Sequence, residues 1–143
     1  MVFLQDVPQL QGTTDSELNE LLELESIIRD GGNQLQSRIA CDVAVGSRKF
    51  PVHVVTLGNP DPDLPDVGFF GGFHGLERIG AEVVLAYLRS LVNRLPWDSI
   101  LHRQLESVRL VFMPIVNPGG IWRGTRANPN GVDLMRNAPM EAT

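Results

Sequence analysis

The chain has 143 residues, 43% apolar and 20% charged, which suits one compact domain with one core. Twelve basic against seventeen acidic residues give a formal charge of -5 and argue against a nucleic-acid partner, which needs a basic surface. No apolar run reaches the length of a membrane span, and the start, MVFLQDVPQL, lacks the pattern of a signal peptide, so no membrane partner and a cytoplasmic location are expected.

The segment TTDSELNELLELESIIRDGG predicts a helix. Thr14 and Glu17 have capping-box spacing, and Leu18, Leu21, Leu22, Leu24, Ile27 and Ile28 form a broad apolar face. Gly31 and Gly32 stop the helix. SRIACDVAV and KFPVHVVTL alternate as strands, and Gly46-Ser47 between them suits a two-residue hairpin turn. Cys41, the one cysteine, falls on the apolar face of the first strand and is expected to be a buried small hydrophobe. Pro51 implies that the second strand has a free side there. Gly58 to Asp66 is a loop rich in proline and aspartate.

The rhythm then changes. VGFFGGF and LVFMPIV are continuous apolar runs, as expected of strands buried on both faces. Between them RIGAEVVLAYLRSLVNRL has helical period, with Ile79, Val83, Val84, Leu88, Leu91 and Val92 on its apolar side. Pro96 ends it, and WDSILHRQLES starts a shorter helix. Strand, helix and strand make a parallel crossover. The expected fold is α/β, a three-layer α/β/α domain whose mixed sheet joins an antiparallel hairpin to parallel strands.

Ligands of such sheets collect beyond the carboxyl ends of the parallel strands. Two segments leave those ends, Gly71 to Gly80 and Asn117 to Asn137, and both are chemically loaded. In the first, His74 and Glu77 are three apart, which places them on one face at a helix start. Imidazole and carboxylate are good zinc ligands, and Gly71, Gly72 and Gly75 would leave room for an ion. The same pair also suits a polar strand end followed by a first-turn acid favoured by the helix dipole. In the second segment, Asn117-Pro118-Gly119-Gly120 reads as a turn. Arg123, Arg126 and Arg136 follow within fourteen residues, and their charged forks suit oxyanions and carboxylates. Asp133 and Asn137 could fix the loop through backbone hydrogen bonds.

HGLE, then NPGG about forty residues later, then RANPNGVDLMRN together resemble the zinc carboxypeptidases, the carboxypeptidase A-type metallopeptidases. That family carries H-x-x-E after a parallel strand, N-P-D/G-G, and R-x-N-x-x-G-x-D-x-N-R-N. The resemblance covers roughly Val67 to Asn137. It implies a phosphorylase/hydrolase-like fold, one zinc ion (Zn2+) and a peptide substrate. His74 and Glu77 would be two of three protein ligands, and Arg126 or Arg123 would stabilise the oxyanion. Arg136 would hold the substrate's terminal carboxylate, with Asn117 a second substrate contact. Asp133 would support the metal site through His74 or by fixing the loop.

Two departures stand out. The position before the final arginine is Met135 where the family has asparagine, and methionine donates no hydrogen bond to a carboxylate. The family's third ligand and catalytic glutamate lie downstream, while only APMEAT follows Asn137. His53 and His102 are poor substitutes, one inside a strand and the other on the short helix. Residues 1–143 are therefore expected to be the N-terminal portion of a single catalytic domain, inactive alone. Deacylases similar to aspartoacylase and succinylglutamate desuccinylase share H-x-x-E and act on N-acyl amino acids, so they remain an alternative. A murein-peptide amidase and a degenerate, non-catalytic binding domain are the others.

Overall fold

A computed structural model describes residues 17–138. The first helix, α1, spans Asn19–Gly31 and buries Leu24 and Ile27. It starts at a Leu18 cap that makes no side-chain hydrogen bond, so Glu17 precedes the helix. Thr14, the other half of the expected capping box, lies outside the described residues. Strands β1 (Gln36–Val45) and β2 (Arg48–Gly58) form the expected hairpin. The chain continues through β3 (Asp66–Phe70), α2 (Ile79–Arg94), α3 (Ser99–Leu105), β4 (Arg109–Met113) and α4 (Pro118–Arg123).

The sheet order is β1-β2-β4-β3. β2 pairs antiparallel with both β1 and β4, and β3 pairs parallel with β4. A mixed sheet flanked by helices results, as the alternation of patterns implies. β4 reaches only Val55 to Gly58 of β2, so at Pro51 β1 is the sole neighbouring strand among the described residues. The two sheet faces are covered by different helices. Phe50 packs on Trp122 of α4 with ring centroids 5.3 Å apart. His53, on the opposite face by strand alternation, lies 3.9 Å from Glu25 of α1.

Three expectations are corrected. Cys41 is exposed, not buried. β1 has β2 as its only partner among the described residues and is exposed on both faces from Gln36 to Asp42, so cover reaches the face of Cys41 only at Val43 and Val45. β3 is not buried on both faces either. It has β4 as its only partner among the described residues, and Phe70 is 51% exposed. The buried side of α2 is Ala81, Leu85, Leu88, Leu91 and Val92, while Ile79 and Val83 are exposed. α2 is apolar around most of its girth, so periodicity alone could not orient it.

The core joins Leu24 and Ile27 of α1, Val55 and Leu57 of β2, and Leu85 and Leu88 of α2 to Phe112 of β4. Phe112 has no exposed surface and stacks on Phe69 at 4.9 Å between centroids. Asp98 caps α3 by accepting from the backbone N–H groups of Ile100 and Leu101.

Candidate metal centre

The two loaded segments leave adjacent strand ends. Beyond β3 and β4 the chains stay in contact: Gly71 N–H donates to Met113 O, Val116 N–H to Gly71 O, and Asn117 N–H to Gly72 O, at 3.0, 2.9 and 2.8 Å. Asn117 then locks the segments together. Its Oδ1 accepts from Gly120 N–H at 2.8 Å and its Nδ2 donates to Phe73 O at 3.0 Å. NPGG is therefore not an isolated turn. Asn117 is the cap and Pro118 the first residue of α4, which matches the preferences of both positions. At 2% exposure and with both side-chain groups engaged, Asn117 faces protein.

The glycines serve the same close approach. Gly72 has φ +66°, which a side chain rarely tolerates. A Cβ on Gly75 would overlap the Gly120 carbonyl and crowd the Thr125 carbonyl oxygen. The space at Gly75 is thus filled by the backbone of α4 and its exit, not reserved for an ion.

His74 and Glu77 lie on a turn before α2, closed by Glu77 N–H donating to His74 O at 3.1 Å. The helix starts only at Ile79, so the pair belongs to this turn and not to a first helical turn. The i to i+3 closure still brings the side chains together. His74 Nδ1 lies 3.3 Å from Glu77 Oε2, and Nε2 lies 3.1 Å from Asp133 Oδ1. An Nε2–H donated to Asp133 leaves the Nδ1 lone pair directed toward Glu77.

Asp133 is the hub of the second segment. Its carboxylate also accepts from Arg126 Nε at 2.8 Å and from the backbone N–H groups of Met135 and Arg136 at 3.1 and 3.3 Å. The Arg126 hydrogen bond, and then those from His74 and Arg136 N–H, hold its carboxyl well below the usual range, against the opposing effect of burial. Arg126 also donates Nη1 to Glu77 Oε1 at 3.3 Å. Its own pKa is raised, chiefly by the bond to Asp133.

The other candidates divide. Arg123 turns to Pro129 O at 3.1 Å and braces the loop. Arg136 is 78% exposed, with a long 3.6 Å ion pair to Asp133. Met135 lines a cleft of about 290 Å³ with His74, Glu77, Phe70, Phe73 and Ile79. Asn137 Nδ2 donates to Asp133 O at 2.8 Å, the loop-fixing bond expected of it. His53 faces Glu25, and His102 bonds Leu95 O, so neither joins the pair. One loop organiser went unread in the sequence. Asn128 Oδ1 accepts from the N–H groups of Asn130 and Val132, both at 3.0 Å, and the Asn-Pro-Asn-Gly composition was its signal.

Among the described residues, no group of three or more His, Cys, Asp and Glu side chains is placed to hold a metal ion. What is in place is a pair of donors and its support. Two ligand atoms about 2.0–2.1 Å from a tetrahedral zinc stand roughly 3.3–3.4 Å apart. The 3.3 Å spacing of Nδ1 and Oε2 fits that, as it fits a hydrogen bond between them.

The profile of the family described as zinc carboxypeptidase matches residues 43–141. The chain is 28% identical over 145 residues to Carboxypeptidase SOL1 of Arabidopsis thaliana, covering 96% of this chain and 29% of that protein. It is 33% identical over 97 residues to Carboxypeptidase E of Caenorhabditis elegans, covering 59% and 21%. A metallo-carboxypeptidase from Burkholderia cenocepacia shares the fold, with TM-score 0.67 at 23% identity over 87% of this chain and 34% of that one. The chain thus spans about a third or less of each of these relatives.

Proposed function

The chain belongs to the zinc carboxypeptidase family, and from that premise we propose that it forms the N-terminal part of a single catalytic domain hydrolysing a peptide or amide bond beside a carboxylate-bearing residue. The share of each relative that it covers supports the partial domain. So does the open margin of the sheet, where Val67 and Phe70 of β3 lie exposed with Ile79 and Val83 of α2.

One observation carries the chemistry. His74 presents Nδ1 beside the Glu77 carboxylate while its Nε2 is tied to Asp133. In this reading His74 and Glu77 hold zinc, and Asp133 fixes the tautomer and tilt of the ring. The bound ion supplies an acidified water and polarises the scissile carbonyl. Arg126, not Arg123, stands at the pair and uses two of its five N–H donors there. We assign it the oxyanion role. Arg136 projects an exposed guanidinium from the same loop and would hold the substrate carboxylate. Asn117 serves by clamping the two segments, with no direct substrate contact.

Met135 favours a second reading. An apolar thioether lines the cleft beside His74 and Glu77, where the resemblance would place an amide donor. An N-acyl amino acid deacylase, whose substrate presents an acyl chain, is therefore the alternative. Release of terminal amino acids from peptides, compared with cleavage of N-acyl amino acids, separates the two. The zinc reading itself is tested by metal content. The full-length protein, purified without chelator, is expected to carry one zinc, and His74→Ala to carry none. A wild type free of zinc refutes it.

A further inference from the structure

Arg78 follows Glu77 and caps α2 with helical backbone angles and no side-chain cap bond. The start of that helix is fixed in another way. Arg78 Nη1 donates to Glu20 Oε1 at 2.9 Å, and Nη2 donates to Ile121 O at 3.3 Å. One guanidinium therefore joins three segments: α1, the turn that carries Glu77, and α4, which leads to Arg126 and Asp133.

Glu20 is 7% exposed. It sits on the buried stripe of α1 with Leu24 and Ile27, where an acid is out of place unless paired. Its Oε2 is buried and has no hydrogen-bond partner among the described residues. A buried carboxylate with one charged partner strongly resists losing that partner, so Arg78 is held firmly. Glu77 is the opposite case. Its side chain is 61% exposed, so little packing fixes it; Arg126 and His74 meet its carboxylate, and the backbone it shares with Arg78 sets where the turn itself stands.

We infer that Glu20 and Arg78 are a positioning pair that sets where Glu77 stands, so that α1 tunes a metal site it does not touch. The inference rests on the reading that His74 and Glu77 hold zinc. Arg78 and Glu20 touch neither substrate nor metal in this scheme and act only through the Glu77 turn.

The test is zinc affinity of the full-length protein, stripped of metal and titrated against a chromophoric chelator. Glu20→Gln keeps the shape and removes the charge. It is expected to weaken zinc binding about 10-fold, the lower end of what partners behind metal ligands contribute. Asp30→Asn is the control, because Asp30 pairs with Arg89 between the same two helices, away from the turn. It is expected to leave zinc affinity unchanged even if the midpoint of thermal unfolding drops. Arg78→Lys keeps the charge but cannot reach both Glu20 and Ile121 O, and serves where Glu20→Gln does not fold. Wild-type affinity in a folded Glu20→Gln or Arg78→Lys protein overturns the inference. Equal weakening by Asp30→Asn also overturns it, by reducing the effect to general stability. A wild type that binds no zinc overturns the metal reading first, and this inference with it.

Discussion

Gly75→Ala places one methyl group between the two candidate ligands and shows how tightly that turn is built. Gly75 does not have a positive φ, so alanine meets no backbone penalty there. On conformational entropy alone the change would stabilise the protein by about 0.4–1 kcal/mol, because the unfolded chain loses freedom. The contacts act the other way. The new Cβ would overlap the Gly120 carbonyl carbon and oxygen and crowd the Thr125 carbonyl. All three are backbone atoms on or beside α4, so no side chain can swing aside. Overpacking of this kind costs typically 1–3 kcal/mol, and backbone neighbours favour the upper end. The expected net effect is about 2 kcal/mol of destabilisation, read from urea unfolding followed by circular dichroism. Gly80→Ala is the comparison, since its Cβ would meet only Gly72 N at 3.7 Å, an ordinary van der Waals contact. It lies within α2 and should be neutral or stabilise by up to about 1 kcal/mol. A Gly75→Ala protein as stable as wild type would refute the close packing of the ligand turn on α4.

Phe112→Ala should cost about 3–5 kcal/mol, since the ring has no exposed surface and stacks on Phe69; chemical denaturation measures it. Asp98 has a lowered pKa, through the Leu101 N–H first and then Arg94. Its stabilising effect is therefore present above the ordinary carboxylate range near pH ~4 and is lost as pH falls through the lowered folded value. Urea midpoints of wild type and Asp98→Ala should differ at pH 7 and converge in acid, and a constant gap would count against the cap. Arg136→Ala should raise KM about 10-fold or more for a substrate anchored by a carboxylate and leave kcat nearly unchanged. An amide-capped analogue should show no such rise.

Local patterns were legible wherever one short segment determined the outcome. Gly46-Ser47 closes the hairpin, Pro96 ends α2, and the β3–α2–β4 crossover follows from the change in rhythm. The resemblance implied that Asp133 either partners His74 or fixes the loop; it lies 3.1 Å from His74 and also accepts from Met135 and Arg136 N–H. What escaped reading depends on the neighbours a segment acquires. Cys41 shares a strand face with Val43 and Val45, but only those two are covered, and alternation does not show where cover begins. The exposure of Val67 and Phe70 follows from β4 being the only partner of β3 among the described residues, which an apolar run does not encode. Asn117-Pro118 reads as turn or helix start until the packing of Gly75 on Gly120 chooses the helix. Glu20 and Arg78 meet across 58 positions, and the only hint was an acid at helical spacing from Leu24 and Ile27.

The position of a bound zinc ion is the most direct test of the proposed metal centre. Crystals of the full-length protein grown with zinc and measured at the zinc absorption edge locate it by anomalous scattering. The expected result is a peak bonded to His74 Nδ1 and the Glu77 carboxylate, with His74 Nε2 still paired to Asp133. A zinc bound through Nε2 in place of Asp133, or no peak at this turn, would contradict it.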